Sequence, residues 1–369
     1  MSGNGFWTPL WGLWLACCLV QLYYWLRVFY PLSWAQTPTG NTQDPVSVII
    51  CIHEVTPQFG DLLAALAQQD YPAYEVLIVN DGGNPEISKI IASGSDAAVL
   101  EIVLSPEDKT HPGKKEALAL GIREARYHWL LLTDADCSVQ KQWISQMMAC
   151  TSPEKQIVLG YGPFMRHNGF TQALARFDNL MIAMQYLGHA HAGHPYMGVG
   201  RNLLYHKSLF EGSMGFEKHD DLASGDDDLF VQDVANGSNT TICLTLASFA
   251  VSPAKSTLKD LLLQKQRHVS TAPRYALRAQ MQLALFGASF AAWWLGALLI
   301  AAFSSSQTFL LIAGVTVLVQ WFVFASLTRK LDVRGIAGWF VPLSVVYPFF
   351  LMALSLLMLI GPPRTWKRS

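Results

Sequence analysis

Apolar residues are concentrated in one long segment near the start of the chain and in three near its end. The first, Phe6 to Tyr30, carries no charge before Arg27 and has aromatic residues at both ends. The later three cover residues 283–303, 308–328 and 340–360. Each approaches the length of about 20 apolar residues with which a helix crosses a bilayer. This pattern predicts an uncleaved transmembrane anchor at 1–32 and a C-terminal membrane domain of about three transmembrane helices at 281–362.

The final topology depends on whether the last apolar segment crosses the membrane, and it is left open. Pro342 and Pro348 allow the last segment to be either a kinked span or a re-entrant element. The basic loop Arg329–Arg334 favours the cytoplasmic side, which places residues 31–282 there too. With four full spans, the basic tail at 364–368 would lie outside, against the same rule.

Between the membrane segments, short apolar runs alternate with helical patterns. This alternation predicts a mostly parallel sheet with helices on its faces, an α/β domain at 45–270. The predicted strands read as continuous Val, Ile and Leu runs, which is typical of buried parallel strands. They lie at residues 46–52, 75–79, 99–104 and 129–133, and the predicted helices at 61–69, 86–92, 114–126 and 258–268.

Composition narrows the classes of function. Hydrophobic residues make up 51% of the 369 residues, which fits a membrane protein. The net charge of −1 and the absence of a basic stripe argue against nucleic acid as a partner. The six cysteines show no C-x-x-C spacing, so the sequence predicts neither a zinc site nor a disulfide framework.

Two carboxylates follow the strand at 129–133. Asp134 and Asp136 flank Ala135, and carboxylates at the end of a buried parallel strand lie where ligands bind in open α/β sheets. Hard oxygen ligands suit Mg²⁺ or Mn²⁺, which such sites share with substrate phosphates. The pair therefore predicts a divalent cation site, the alternative being a chance pair on the surface.

A second strand end and a helix start carry further candidates. Asp81 precedes Gly82 and Gly83, which allow close approach of a ligand, although a capping aspartate in a turn explains the same residues. Lys114 and Lys115 lie at a predicted helix start, where lysines gain nothing from the helix dipole. They are candidates for binding a ligand anion, or they form a solvated helix face.

The triplet Asp226, Asp227 and Asp228 is harder to explain as structure, because adjacent carboxylates repel one another. Such a cluster raises a pKa or binds a cation, and either suits a base near a metal–phosphate site. A solvated acidic loop or a helix cap is the alternative. Gln264 and Arg267 are three residues apart and lie on one face of the predicted helix at 258–268. They could neutralise a leaving diphosphate, or the helix could rest on anionic lipid.

Two other groups suggest less specific roles. His189, His191 and His194 lie in a glycine-rich stretch that does not fix a coordination geometry, so flexible acceptor-loop residues are favoured over a metal site. The tryptophans near the membrane segments are interpreted as belt or packing residues rather than a sugar platform.

Taken together, these residues resemble the membrane-bound family 2 glycosyltransferases, which have the GT-A fold, over residues 45–270. Residues 69–76 resemble the family's Q-x-Y-P-x-x-E segment, 79–83 its V-D-D-G-S turn, and 264–268 its Q-x-x-R-W element, with His268 at the tryptophan position. The resemblance implies a nucleotide-base contact by Asp81, a metal-binding D-x-D at Asp134 and Asp136, and a base in the triplet, with Asp227 preferred. It also implies donor binding by Glu54, Lys114, Lys115, Asp134, Gln264, Arg267 and His268.

The function implied is inverting, Mg²⁺- or Mn²⁺-dependent transfer of a sugar from a UDP- or GDP-linked donor to a hydroxyl of a lipid or glycan acceptor. The alternatives are a non-enzymatic membrane scaffold or transport component, and a sugar nucleotidyltransferase. The expected setting is a multi-pass integral membrane protein, contacting membrane lipids, with its catalytic domain in the cytoplasm and a bacterial inner membrane as the first expectation. The sugar, the acceptor, processivity and the oligomeric state are left open.

Overall fold

The computed structural model describes residues 4–94, 99–110, 113–303 and 306–361, with no side-chain description for residues 4–9, 303 and 360. Within these ranges the chain folds as a mixed α/β region between one N-terminal and three C-terminal apolar helices. The basic tail at 364–368, on which one topology argument depends, lies outside the described residues.

The described part of the α/β region is built on one seven-stranded sheet. The strands are β1 Val46–Ile52, β2 Tyr74–Asp81, β3 Val99–Leu104, β4 Trp129–Asp134, β5 Ile157–Leu159, β6 Leu203–His206 and β7 Thr240–Ile242. Their order is β3-β2-β1-β4-β6-β5-β7, and all neighbours are parallel except those of β6, which is antiparallel to both β4 and β5. The predicted α/β fold class with a mostly parallel sheet is confirmed.

The described part of the α/β region has eight α-helices, most of which bury apolar residues in the cores on the two faces of the sheet. The helices are α2 Phe59–Ala67, α3 Pro85–Gly94, α4 Lys115–Glu124, α5 Trp143–Met148, α6 Phe170–His191, α7 Lys207–Gly212, α8 Asp228–Val234 and α9 Leu258–Val269. Alternate residues of each central strand point to opposite faces. Val48 and Ile50 of β1 therefore belong to a core under α2, α3 and α5, whereas Ile49 packs with α4 in the larger core that extends to the membrane helices.

Four of the described helical segments are long and apolar enough to cross a membrane. The first is α1 Asn4–Tyr23, which continues as a π-helical segment Tyr24–Phe29 and a 3₁₀ turn Tyr30–Ser33; the others are α10 Leu277–Phe303, α11 Gln307–Lys330 and α12 Phe340–Ile360. Helix α12 is continuous through Pro348.

The first membrane helix packs closely on α10. The indole N–H of Trp14 donates to the carbonyl of Trp293 at 3.0 Å, and the amide nitrogen of Gln21 donates to the Ser289 hydroxyl at 2.8 Å. A Cβ at Gly296 would lie 2.4 Å from the Trp14 ring. Small residues and interhelical hydrogen bonds are how helices associate in lipid, so the N-terminal segment is an integral part of the helix bundle.

Helix α9 joins the sheet region to the last membrane helix. Lys265 forms a buried ion pair with Asp178 of α6, and the Tyr347 hydroxyl of α12 donates to the same carboxylate at 2.9 Å. The Gln266 amide donates to the carbonyls of Leu357, at 2.9 Å, and Gly361, at 2.6 Å, near the end of α12. Consecutive side chains of α9 therefore link it to α6, through Lys265, and to the end of α12, through Gln266.

The basic loop after α11 contacts the sheet region. The Lys330 ammonium donates to the Ala35 carbonyl at 3.1 Å, and the Arg176 guanidinium of α6 donates to the Arg334 carbonyl at 3.0 Å. The loop and the sheet region consequently lie at the same end of the bundle.

Candidate active site

The site forms where the strand order reverses. Strand β1 has β2 on one side and β4 on the other, and chain connections leave in opposite directions from this point, which opens a crevice at the C-terminal edge of the strands. Cys51 near the end of β1 pairs with Asp134 at the end of β4, and Asp81 ends β2 opposite Leu104. The sheet thus brings two of the predicted site residues to one edge.

Lys114 lies between two carboxylates. Its ammonium is 3.0 Å from Oδ1 of Asp134 and 3.2 Å from Oδ2 of Asp226. Burial disfavours the charged lysine, but the charges of Asp134 and Asp226 outweigh burial and raise the pKa of Lys114 well above its usual value. Lys114, expected to bind a ligand anion, therefore joins the strand-end carboxylate to the acidic triplet.

The two carboxylates of the D-x-D pair differ in their ease of ionisation. Burial acts against ionisation of Asp134, but the adjacent Lys114 ammonium brings the pKa of Asp134 below its ordinary value. Burial and then the charge of Asp134 raise the pKa of Asp136 to about 6. A cation bound between the pair would relieve that repulsion. The carboxylate oxygens of Asp134 and Asp136 are therefore suitable ligands for a hard divalent cation.

The described residues contain no group of three or more His, Cys, Asp or Glu side chains arranged to hold a metal. Two carboxylates are nevertheless a common protein contribution to a Mg²⁺ or Mn²⁺ site whose remaining ligands are water and substrate phosphate. Asp134 and Asp136 fit that kind of shared site rather than an all-protein site.

Asp227 is at the N-cap of α8, with its carboxylate accepting from two backbone N–H groups. Oδ1 accepts from the N–H of Asp228 at 2.7 Å, and Oδ2 accepts from the N–H of Gly200 at 2.7 Å. Burial and the charges of Asp226 and Asp228 raise the pKa of Asp227 to about 7, against the lowering effects of Lys114 and the Gly200 N–H. A carboxyl group with that pKa can accept a proton near neutral pH.

Asp228 is held on the other side of the triplet. Its Oδ2 accepts from the Thr271 hydroxyl at 2.5 Å and from the Tyr275 hydroxyl at 2.7 Å, and the side chain is buried. Burial raises the pKa of Asp228. These contacts give Asp228 a role in joining α8 to the segment that leads into α10, whereas Asp226 and Asp227 face Lys114.

Arg201 was not among the predicted site residues, yet its guanidinium lies beside the D-x-D pair. Its charge acts on the pKa of both Asp134 and Asp136. Hydrogen bonds to the Gly162 carbonyl, at 2.8 and 3.1 Å, and to Asn179 Oδ1, at 2.8 Å, fix its orientation. Arg201 directly follows Gly200, whose N–H contacts Asp227, so one short segment supplies two contacts to the site.

Arg267 reaches the same centre from α9. Burial lowers the pKa of Arg267, and the charges of Asp226, Asp134 and Asp227 act against that shift. Its Nη2 is 3.5 Å from Nε2 of His268, which is exposed. Gln264 lies three residues earlier on α9, and its buried Oε1 has no hydrogen-bond partner within the described ranges.

The Asp81 carboxylate is buried and forms an ion pair with Lys109. Its backbone carbonyl contacts the His53 ring, which lies in the loop after β1 next to the exposed Glu54. Oδ1 of Asp81 is buried without a hydrogen-bond partner in the described part of the chain. An unpaired buried acceptor of this kind suits an N–H donor of a ligand. Lys109 is a second site residue that sequence reasoning missed.

Two of the predicted residues or groups lie elsewhere. The Lys115 ammonium donates to the carbonyls of His219, at 2.5 Å, and Leu222, at 3.0 Å, so it holds a loop instead of facing the carboxylates. His189 is not in a flexible loop: it is buried in α6, and burial lowers its pKa to about 4. Helix α6 ends at His191, so His189 and His191 belong to the helix, and only His194 of the three lies in the segment after it.

The comparisons with known proteins decide the family. The model of glycosyl transferase family 21 matches residues 12–367. The chain belongs to this family. The predicted class of enzyme, a glycosyltransferase, is confirmed. The motifs had suggested family 2, and that family assignment is not confirmed. A comparison with curated sequences gave no match.

One solved structure supports the fold, and a second is similar to a smaller degree. The mannosyltransferase PcManGT from Pyrobaculum calidifontis, in complex with GDP-Man and Mn²⁺, is 16% identical with a TM-score of 0.63, over 98% of this chain and 100% of that one. TarS 1-349 from S. aureus, in complex with UDP-GlcNAc, is 12% identical with a TM-score of 0.44, over 88% of this chain and 93% of that one. The family 21 glycosyltransferase thus has a GT-A-like fold with four helices suited to a membrane.

Proposed function

We propose that this family 21 glycosyltransferase transfers a sugar, with inversion, from a nucleotide-sugar donor to a hydroxyl group of a membrane-associated acceptor. The observation that carries the proposal is the convergence of Asp134, Asp136 and Asp227 with three cations, Lys114, Arg201 and Arg267, at the C-terminal edge of the sheet. Paired carboxylates next to fixed cations suit a diphosphate, a divalent cation and a proton transfer in one site.

Donor binding is assigned to the edge of β2 and β4. The buried Asp81 carboxylate, with its unpaired Oδ1, would accept hydrogen bonds from the nucleotide base. Asp134 and Asp136 would hold Mg²⁺ or Mn²⁺, which on binding acts as a Lewis acid toward the diphosphate. The GDP-Man and Mn²⁺ in the structure of PcManGT support a nucleotide-sugar donor and a divalent cation. Arg201 and Arg267 would add charge stabilisation to the leaving diphosphate.

Asp227 is assigned as the general base. The acceptor oxygen attacks the anomeric carbon while its proton passes to the Asp227 carboxylate, and the bond from the anomeric carbon to the diphosphate oxygen breaks. A single displacement of this kind inverts the anomeric configuration. The Gly200 N–H keeps Oδ2 of Asp227 oriented. The Lys114 ammonium, 3.2 Å from Asp226, limits the repulsion within the triplet.

Residues 45–270 are assigned to the catalytic domain, residues 1–32 to the anchor and residues 281–362 to the membrane domain. The four apolar helices and the contact of the basic loop with the sheet region favour an integral membrane protein with its catalytic domain in the cytoplasm. A site beside the membrane helices favours a lipid or lipid-linked acceptor. The family match disfavours both the scaffold and the nucleotidyltransferase alternatives.

The test is release of nucleotide diphosphate by the detergent-solubilised protein with UDP- and GDP-sugars, Mn²⁺ or Mg²⁺, and a bacterial membrane-lipid extract. We expect release that needs both metal and extract. Asp227→Asn should lower turnover by about 10²- to 10⁴-fold, the typical contribution of a general base, with donor binding retained. Asp233→Asn, on the same helix but paired with Lys218 and His219, is the matched control. Equal turnover in both variants would overturn the assignment of Asp227.

A further inference from the structure

The segment at 271–276, between α9 and α10, contacts the first turn of α8 through two buried hydroxyl groups. Thr271 and Tyr275 both direct their hydroxyls at Oδ2 of Asp228, at 2.5 Å and 2.7 Å. Oδ1 of the same carboxylate accepts from the backbone N–H of Leu229 at 2.8 Å. Both oxygens of the buried Asp228 side chain therefore have hydrogen-bond donors.

The two hydroxyls differ in the alternatives open to them. The Thr271 hydroxyl also lies 2.8 Å from the His268 carbonyl, and its single proton can serve only one of the two acceptors at a time. Within the described part of the chain, the Tyr275 hydroxyl otherwise contacts only the Met197 thioether, a weak acceptor, at 3.9 Å. Tyr275 is therefore the more consistent donor to Asp228.

A second contact joins the same segment to the same face of α8. The backbone N–H of Ala276 donates to the side chain of Gln232, which is four residues after Asp228 and so lies on the same side of the helix. The Gln280 amide of α10 donates to the Tyr275 carbonyl at 2.6 Å. The segment consequently connects α8 to the membrane helix α10.

The first turn of α8 also orients the candidate base. Asp227 is the N-cap of α8, and its Oδ1 accepts from the backbone N–H of Asp228 at 2.7 Å. Asp228 thus contacts Asp227 through its backbone and the 271–276 segment through its side chain. Because an N-cap side chain takes its orientation from the backbone of the first helical turn, a displacement of Asp228 would also turn the Asp227 carboxylate.

We propose that Thr271 and Tyr275 are positioning residues of the reaction, which hold the side chain of Asp228 and thereby orient the Asp227 carboxylate toward the acceptor hydroxyl. The inference rests on the proposed function, in which Asp227 is the general base. It gives Asp228 a supporting role instead of that of an alternative base, because both of its oxygens already have donors. It also extends the catalytic region through Ala276, beyond residue 270.

The same contacts act on the charge of the base. Burial raises the pKa of Asp228, and the hydrogen bonds from Thr271 and Tyr275 act against that shift. Burial and the charge of Asp226 raise the pKa of Asp227, and the charge of an ionised Asp228 adds to the rise. Within the described residues, the other charged or titratable groups acting on Asp227 or Asp228 are Lys114, Lys115, Tyr186 and Arg267.

The first test is Tyr275→Phe, which removes one donor and keeps the ring. A hydrogen bond to a charged group changes the protonation equilibrium of that group by about tenfold or more. Asp228 is then neutral over more of the pH range, and its charge no longer raises the pKa of Asp227. We expect the midpoint of the decrease in kcat/KM at low pH to move to lower pH by about one unit. Above that midpoint, kcat should fall about tenfold to a hundredfold because the base is misplaced.

The second test separates the charge of Asp228 from its position. In Asp228→Asn the amide oxygen can still accept from Thr271 and Tyr275, but the negative charge is lost. We expect the midpoint to move in the same direction, with a smaller loss of kcat than in Tyr275→Phe. Thr271→Ser keeps the hydroxyl and should behave as the unsubstituted chain does.

The matched control is Tyr196→Phe, which removes a hydroxyl from a neighbouring ring and leaves both donors to Asp228 in place. The centroids of the Tyr196 and Tyr275 rings are 6.1 Å apart. We expect an unchanged midpoint in this variant. Donor binding, measured by calorimetry, should be unchanged in all the variants and shows that the site is folded. If Tyr275→Phe loses donor binding, the midpoint in Asp228→Asn decides the question.

The outcomes separate the positioning role from the reaction itself. If the unsubstituted chain releases no nucleotide diphosphate with any donor, the proposed function fails and the inference fails with it. If release occurs and the midpoint is the same in Tyr275→Phe, Asp228→Asn and Tyr196→Phe, the reaction stands and the positioning role is wrong. A Tyr275→Phe protein that is less active at an unchanged midpoint would show a purely structural contact, which also overturns the inference.

Discussion

The buried ion pair between Lys265 and Asp178 gives a prediction whose size can be worked out from the structure. Lys265 and Asp178 are 5% and 2% exposed, and within the described part of the chain the carboxylate has one further partner, the Tyr347 hydroxyl, which donates to it at 2.9 Å. Lys265→Met removes the cation and leaves the Asp178 charge buried with one neutral donor. Losing one partner of a buried pair costs about 3–5 kcal/mol.

The loss can be read as a change in Tm. For a chain of 369 residues, an unfolding entropy of about 0.8 kcal/mol/K converts that loss into a fall in Tm of about 4–6 °C. The assay is thermal unfolding of the detergent-solubilised protein, followed by intrinsic tryptophan fluorescence. Lys259→Met, exposed on the same helix, is the matched control.

A second variant tests the physical reason for the loss. Lys265→Met combined with Asp178→Leu removes both charges, and replacing a buried pair by apolar residues is often close to neutral. We expect the double variant to recover most of the Tm lost by Lys265→Met. A Lys265→Met protein whose Tm falls no further than that of Lys259→Met would refute the reasoning, because the carboxylate would then not be an uncompensated buried charge.

Three further predictions concern the reaction. Burial and the charges of Asp226 and Asp228 raise the pKa of Asp227 to about 7. Because the base becomes protonated below that pH, kcat/KM should fall about tenfold per pH unit below pH 7. A pH profile without this decrease would contradict the assignment of Asp227. Asp134→Ala should abolish the metal-dependent part of donor binding, measured by calorimetry with Mn²⁺ and with a chelator. Asp81→Ala should raise the donor KM about tenfold to a hundredfold, the worth of a hydrogen bond to a charged group, and spare kcat, which steady-state kinetics would show.

The first part of the α/β region could be predicted because the apolar pattern of each element is visible in its own few residues. Strands β1 to β4 are continuous apolar runs, and helices α2 to α4 have apolar residues at helical spacing, and their predicted bounds agree with the structure to within about three residues. The antiparallel strand β6 and the short strands β5 and β7 have no such signal, since three or four residues are too few for a period to be detected. The 22-residue helix α6 was missed because its buried face includes polar residues such as Asp178.

A linear motif does not show which of its adjacent side chains faces the site. Consecutive residues on a helix are about 100° apart, so only one of Lys114 and Lys115 can face the carboxylates, and the sequence does not reveal the rotation of α4. The same limit applies to the acidic triplet, where Asp227 faces Gly200 and Asp228 faces Thr271. Arg201 could not be found at all, because its position depends on how β6 lies against β4.

The hydrogen bonds that join the first membrane helix to α10 have a consequence for biosynthesis. Gln21 and its partner Ser289 are 268 residues apart. At a synthesis rate of about 5–20 residues per second, the partner emerges roughly 13 to 54 s after the glutamine. With α1 inserted as the proposed anchor, the Nε2 donors of Gln21 lack their final partners during that interval, and unpaired amide donors in hydrocarbon cost several kcal/mol. A chain whose synthesis stops before α10 would therefore keep unpaired amide donors in its first apolar helix. These donors would distinguish the unfinished chain from the completed protein.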